Sequence, residues 1–357
     1  MKVSVIIPTY NRADLVCESI DSALAQSFDD YEIIVINDGS TDNTADRLKK
    51  YGNKIRYYEQ PNGGVNKARN FALSKARGEY IATLDNDDLW HNNKLELQVK
   101  ILDSFPEIAF TFSNFSIYKN RENILPDGIQ TWYSSPKSWK KFYEKSIKLN
   151  EFLNEYSTSS LANTSLYIGD IYHASLQTYY VLPSTALFRR SMIPEGVKFV
   201  EHDPICGDWD FFARLSRDSK VAYLDFDTTL NRSHEDEVRI TRTNWKKQLE
   251  LRVDFIERLY LCDKGFYENN KYITDLTYYE RLKALYRQQL LDGERHSAKN
   301  TLKKYHAHTP KPGITYTFLL LICHLPAIQY PLIAIRRTLE SIERILKNIL
   351  QIITVRI

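Results

Sequence analysis

Cysteine is scarce and scattered. Cys17, Cys206, Cys262 and Cys323 lie far apart, with no CxxC pair, which excludes a disulfide framework and makes a reducing compartment the simplest expectation. A surplus of charge is also missing. The 48 Lys plus Arg against 45 Asp plus Glu leave a net +3, too little for a bulk polyanion binder, and no nucleic-acid partner is expected. Neither GxxxxGK[ST] nor GxGxxG occurs, so P-loop, dinucleotide and nucleotidyltransferase readings lose their phosphate loop. Met1-Lys2 runs straight into Val3-Ser4-Val5-Ile6-Ile7, a strand-like run rather than a secretory apolar region, so no leader is expected. No internal repeat is visible.

What is present is a foldable core. Hydrophobic residues make up 43% and charged residues 26% of 357, which excludes global disorder. That length predicts two units, or one large α/β core with appendages. The opening third alternates strand and helix signals. Val3–Ile7 reads as a strand stopped by Pro8, and 12–26 as a helix with Asn11 at its N-cap and Asp14 in its first turn. Strands follow at 32–36, 55–59 and 80–84, with helices at 42–51, 66–76 and 92–104. Repeated β-α-β units predict a parallel sheet with helices on both faces, and a ligand crevice beyond the carboxyl ends of the strands. Tyr10, Asp38 and Asp85–Asp88 all fall just after predicted strands.

Asp85-Asn86-Asp87-Asp88 is the densest acidic run at that rim. An Asp-rich turn can be a solvated cap, but its place after a core strand suits a divalent cation. Carboxylate oxygens match Mg²⁺ or Mn²⁺, which are commonly held by one or two carboxylates plus substrate phosphates. Residues 1–115 carry 13 Lys plus Arg and 17 Asp plus Glu, so a diphosphate bound there calls for a metal.

Four segments occur in order: Ser4–Arg12 (SVIIPTYNR), Asn37–Asp42 (NDGSTD), Asn62–Asn70 (NGGVNKARN) and Leu84–Trp90 (LDNDDLW). Together they resemble the family 2 glycosyltransferases, which have the GT-A fold, a Rossmann-like and mostly parallel sheet flanked by helices. The resemblance is close over residues 1–115 and looser to about residue 245. It implies a nucleotide-sugar donor, usually a UDP-sugar, a Mg²⁺ or Mn²⁺ cofactor and inversion at the anomeric carbon. By position, Thr9 and Tyr10 would line the base pocket, with the Tyr10 ring stacked on the nucleobase. Asp38 would accept from the base N–H and Arg69 would hold nucleotide or phosphate. Asp85 would lie nearer the ribose with Asn86 beside the donor, and Asp87 would be the direct metal ligand.

Between residues 116 and 180 the chain turns aromatic and irregular, with Trp132, Tyr133, Trp139, Phe142, Tyr143, Tyr156, Tyr167, Tyr172, Tyr179 and Tyr180. Such rings serve equally as sugar platforms and as core fillers. Val181–Arg190 then reads as a return to the core. Cys206-Gly207-Asp208-Trp209-Asp210 resembles the family's acidic motif, with Gly207 where the family usually has Glu. An inverting transfer is one displacement and needs one general base. Asp210 lies roughly 200° around the helix from Asp208, so the two cannot serve one site, and Asp208 is the candidate. In Asn231-Arg232-Ser233-His234 the resemblance puts His234 at the metal or diphosphate, with Arg239, Thr241, Arg242 and Thr243 on the loop beyond.

Residues 246–309 read as helical, with Leu249, Val253, Ile256 and Leu259 in one stripe and Leu276 to Leu291 beyond. Gly313–Ile335 is 23 residues without a formal charge, near the ~20 that span a bilayer, but interrupted by Pro326 and Pro331. Residues 336–357 hold five Lys or Arg and two Glu along an amphipathic pattern. Such a helix suits an anionic membrane interface, or a homo-oligomer contact. The expected organisation is a nucleotide-sugar-binding half over 1–115, an acceptor-binding half over 116–245, a helical extension over 246–309 and a membrane-associating tail over 310–357. The expected protein is a glycosyltransferase with a glycan or lipid-linked acceptor, cytoplasmic and peripheral on the inner face of the cell membrane. The alternative is a non-catalytic nucleotide-sugar-binding or scaffold subunit.

Overall fold

Val3, Val5 and Ile7 alternate with Ser4 and Ile6 along a strand buried on both faces, the pattern of a central parallel strand. The computed structural model describes residues 1–120, 123–133, 139–153, 164–233 and 245–307. The chain divides after Thr243 into two compact units.

The first unit is built on one mixed sheet. Its strands are β1 (Val3–Thr9), β2 (Tyr31–Asn37), β3 (Arg56–Glu59), β4 (Tyr80–Thr83), β5 (Leu89–Trp90), β6 (Ile108–Asn120), β7 (Asn123–Leu125), β8 (Tyr143–Lys148), β9 (Ser165–Gly169), β10 (Leu187–Arg189) and β11 (Lys220–Arg232). The spatial order is β3-β2-β1-β4-β10-β6-β11-β9-β8, with β5 on β11 and β7 on β6. Strands β1 to β4 are mutually parallel, and β6 and β11 are parallel to each other. Between these blocks β10 runs antiparallel to both β4 and β6. The carboxyl ends of β1, β2, β4, β6 and β11 therefore open on one rim.

Helix α1 (Ala13–Leu24), α2 (Thr44–Leu48), α3 (Val65–Lys75) and α4 (Lys94–Ser104) follow the early strands, and α5 (Gly128–Tyr133), α6 (Leu149–Leu153), α7 (Tyr172–Ser175) and α8 (Gly207–Ser216) come later. Val16, Ile20 and Ala23 of α1 and Leu95, Val99 and Leu102 of α4 pack in the same apolar layer as Val3, Val5 and Ile7. Ala68 and Ala72 of α3 and Phe211, Phe212 and Leu215 of α8 pack in the layer of Ile6, Ile34 and Ile36. One sheet is thus covered on both faces. Burying each large apolar side chain is worth about 1.5–3 kcal/mol.

Two early boundaries differ from the sequence reading. Strand β1 runs through Pro8 because its pairing with β4 ends at Ile6↔Thr83 and only β2 continues alongside, so the missing N–H removes no β4 bond. Helix α1 is preceded by Arg12, not capped by Asn11. Asn11 takes φ +48°, its side chain accepts from Thr41 N, and Ala13 N donates to Asp42 Oδ2. A residue from the next loop thus takes over the capping.

In the second unit, Trp245–Ile256, Lys264–Asn269, Lys271–Leu291 and Arg295–Ala307 are helical, with one π turn over Glu257–Leu261. Leu249, Val253, Ile256 and Leu259 are all buried, as their stripe predicts. Leu276 is instead exposed, and Tyr278, Leu282 and Leu285 fill the interior. No helix among the described residues is long and apolar enough to cross a membrane. The tail expected over 310–357 lies outside the described residues.

Candidate active site

The rim is assembled from loops that tie one another down. Thr9 O accepts from Asp38 N at 2.8 Å, joining the ends of β1 and β2. Asn11 N donates to Ser40 Oγ at 3.0 Å, and Asn37 Oδ1 accepts from Ser40 N at 2.9 Å. Tyr10 stands out from this framework, 45% exposed. Asp38 is buried, and its carboxylate accepts from Gln60 Nε2 at 2.6 Å, Gly63 N at 2.9 Å and Gly64 N at 2.8 Å. It therefore shapes the loop that enters α3. Gly64 there takes φ +88°, a conformation that favours glycine.

The acidic turn lies beside Thr9, whose Oγ1 accepts from Asn86 Nδ2 at 3.1 Å. Asp85, Asn86 and Asp87 are half-buried, while Asp88 is 1% exposed. Asp88 accepts from Ser184 Oγ, from Asn231 Nδ2 at 2.9 Å and from Arg232 N at 3.1 Å. Burial and the charges of Asp87 and Asp85 push its carboxyl well above the usual range. The last acid of the run is thus a latch between the turn and the end of β11. Ser19 Oγ donates to Asp88 O at 2.8 Å, and Arg232 Nε donates to Asp87 O at 3.1 Å. Register shifts between Leu224 and Thr229 let β11 carry extra residues before it reaches this latch.

Arg69 joins this turn to the predicted base. On α3 its Nη2 donates to Asp85 Oδ1 at 2.6 Å and its Nη1 to Asn66 Oδ1 at 3.0 Å. Nη1 also lies 3.9 Å from Asp208 Oδ2. Burial works against the guanidinium's charge, yet Asp85 and Asp208 raise it above its ordinary value. Asp208 sits in the first turn of α8, its side chain 19% exposed, and Trp209 N donates to its Oδ1 at 2.7 Å. Burial pushes the Asp208 carboxyl up to about 6, against the opposing pull of Arg69. Asp210 points elsewhere, fully buried on Arg214.

The segment 199–206 that delivers α8 is gripped by α3. Asn66 Nδ2 donates to Val200 O and Asp203 O at 3.1 and 2.7 Å, and Asn70 Oδ1 accepts from Phe199 N at 3.0 Å. Phe199 stacks on Phe211 with centroids 4.1 Å apart. This packing explains Gly207. A Cβ there would come 2.2 Å from Asn66 Nδ2 and 2.6 Å from Val200 O. Gly207→Ala is therefore expected to lower stability by about 1–3 kcal/mol, as overpacking does, measured as the urea midpoint shift.

Thr9, Asn86, Asp85, Arg69 and Asp208 form one connected set of contacts, and Tyr10, Asp38 and Asp87 lie on the loops of the same rim. His234, Arg239, Thr241, Arg242 and Thr243 lie outside the described residues. Asn66, Asn70, Ser184 and Asn231 hold the set together, and sequence reasoning gave none of them a part in the site. Asn66 stands three residues before Arg69 and four before Asn70, helical spacings that could have marked one helix face. The acceptor-half aromatics divide: Tyr143, Tyr172 and Tyr180 are core, while Tyr167 and Tyr179 are half-buried. Tyr179 lies on Trp209, centroids 5.6 Å apart, with its hydroxyl at Asp208.

Comparison with known proteins bears on the family and the fold. The model of glycosyl transferase family 2 matches residues 4–162. An uncharacterized glycosyltransferase of Rickettsia typhi is 31% identical over 250 residues, covering 70% of this chain and 69% of that protein. A chondroitin synthase of Pasteurella multocida is 36% identical over 148 residues, 41% of this chain and 14% of that one. Against two other curated glycosyltransferases the chain spans 22% and 24% of their length. Among solved structures, S. aureus TarS 1–349 in complex with UDP-GlcNAc superposes with a TM-score of 0.59 at 20% identity, covering 96% of this chain and 92% of that one. The shared architecture is the GT-A fold.

Proposed function

The chain belongs to glycosyl transferase family 2, and from that premise we propose that it moves a sugar from a nucleotide-sugar, a UDP-sugar, to a glycan or lipid-linked acceptor with inversion. The observation that carries the reading is the meeting of Asp208 and Asp85 on one guanidinium. An acid suited to base catalysis lies directly across Arg69 from the donor-side acid. A carboxyl brought to about 6 is ionised at neutral pH yet basic enough to take a proton in the transition state. The acceptor oxygen forms the new bond to the anomeric carbon as the bond to the nucleoside diphosphate breaks. The acceptor's proton passes to Asp208, and the diphosphate leaves with the bonding pair.

In this reading Tyr10 supplies an exposed ring for the nucleobase, and Asp38 fixes the loop beneath it. The acidic turn fits a divalent ion through Asp87: Asp88 is latched to Ser184, Asn231 and Arg232, Asp85 is engaged by Arg69, and the Asp87 side chain is half-exposed at the rim. Among the described residues no three metal-binding side chains form a cage, and Mg²⁺ bound largely through substrate phosphates requires none. Asp87, half-exposed at the rim, would hold the ion, with His234 its expected companion. Such an ion would neutralise the charge developing on the departing diphosphate. The UDP and glycan parts of the proposal draw on the UDP-GlcNAc bound to TarS and on the chondroitin synthase relative.

The test is release of nucleoside diphosphate from a panel of nucleotide sugars, with and without oligosaccharide acceptors. Turnover with one sugar class, stimulated by acceptor, is the expected result. Silence across the panel, despite nucleotide binding, would mean a scaffold subunit instead.

A further inference from the structure

Two carboxylates with separate tasks share one buried cation. The Arg69 side chain is 4% exposed, and its guanidinium carbon lies 5.5 Å from the Phe199 ring centroid. Its contact with Asp85 is a hydrogen bond of 2.6 Å, whereas the nearest approach to Asp208 is an ion-pair distance of 3.9 Å. Its Nε is buried without a hydrogen-bond partner, so the group holds a donor in reserve. The groups facing Asp208 come from three other places. Arg69 faces it from α3, Asp85 from the turn after β4, and the Tyr179 hydroxyl from the segment after α7. The next acid on its own helix, Asp210, is turned onto Arg214. Arg69 is therefore the cation at Asp208 among the described residues.

We propose that Arg69 is a positioning residue for the acceptor step: its guanidinium, shared between Asp85 and Asp208, keeps Asp208 ionised and passes to it whatever contact the donor makes with Asp85. The inference rests on the reading of Asp208 as the base. A donor hydroxyl that hydrogen-bonds to Asp85 takes over part of what Arg69 now supplies there. The guanidinium is then free to close the longer gap to Asp208, where a direct charged hydrogen bond measures about 2.7–2.9 Å. The charge state of the base is thereby tied to the seating of the donor.

The test is a titration of the full chain carrying carbon-13-labelled Asp carboxyls, with the Asp208 signal assigned by its loss in Asp208→Asn. Wild type is expected to titrate near the value of about 6. Arg69→Met should move the midpoint up by about one to three units, the effect of a neighbouring opposite charge, with a smaller move in Arg69→Lys. Asp85→Asn should move it down, because it removes a like charge and releases Arg69. UDP added to wild type with Mg²⁺, which balances the charge of the diphosphate, should also move it down. An unmoved midpoint in folded Arg69→Met overturns the proposal. If a thermal melt shows that variant unfolded, Asp85→Asn decides, and a midpoint that stays or rises overturns it equally. The base reading fails by a different result, retained turnover in Asp208→Asn.

Discussion

Asp208→Asn should reduce sugar transfer by about 10²–10⁴-fold, the contribution of a positioned general base, while leaving nucleotide binding intact. The amide keeps the side chain's size and can still accept from Trp209 N, so α8 and its packing survive. What it loses is the ability to take a proton. The pH profile supplies the same answer in wild type. Reaction requires the carboxylate, so kcat/KM should hold above the midpoint near about 6 and fall below it, by about tenfold per unit for one essential base. Steady-state transfer assays across pH check both. Retained turnover in the variant would sink the assignment of the base.

Asp87→Ala should remove the metal dependence of nucleotide affinity. The turn around it is held by other contacts: Asp88 latches to Ser184, Asn231 and Arg232, and the Asp87 carbonyl accepts from Arg232 Nε. The variant should therefore stay folded, in contrast to a change at Asp88. Loss of one outer-shell partner already costs about 10–100-fold in metal affinity, and a direct ligand should cost at least that. Calorimetric titration of UDP with and without Mn²⁺ checks it. If UDP binds wild type equally in both conditions, the metal role assigned to Asp87 is wrong.

Much of this site was legible because its motifs sit at strand ends. Tyr10, Asp38 and Asp85 follow runs of apolar residues, and a parallel sheet gathers such positions on one rim. Ordered motifs carried further than spacing alone, since they reached Asp208 across an irregular acceptor half. The fastening contacts were not legible. Asn66 and Asn70 reach Phe199, Val200 and Asp203, and Ser184 reaches Asp88, through side chains whose partners are fixed only by the closed sheet. Local rules also misassigned Asn11, because the true cap of α1 comes from Asp42 in another loop. Asp88 looked like one more member of an acidic run, and only its burial shows it to be a fastener.

The contact between Gly207 and Asn66 has a consequence for how such chains diverge. Asn66 and the Val200 carbonyl occupy the space that a side chain at residue 207 would need, so that position cannot gain one while both stand. A descendant that acquires Glu before its base must lose bulk at residue 66, and with it two hydrogen bonds to the 199–206 segment, and must also move the backbone at Val200. Relatives with a side chain at residue 207 should therefore carry both a smaller residue 66 and a displaced 199–206 segment. The order of those substitutions constrains which neighbouring sequences evolution can reach from this one.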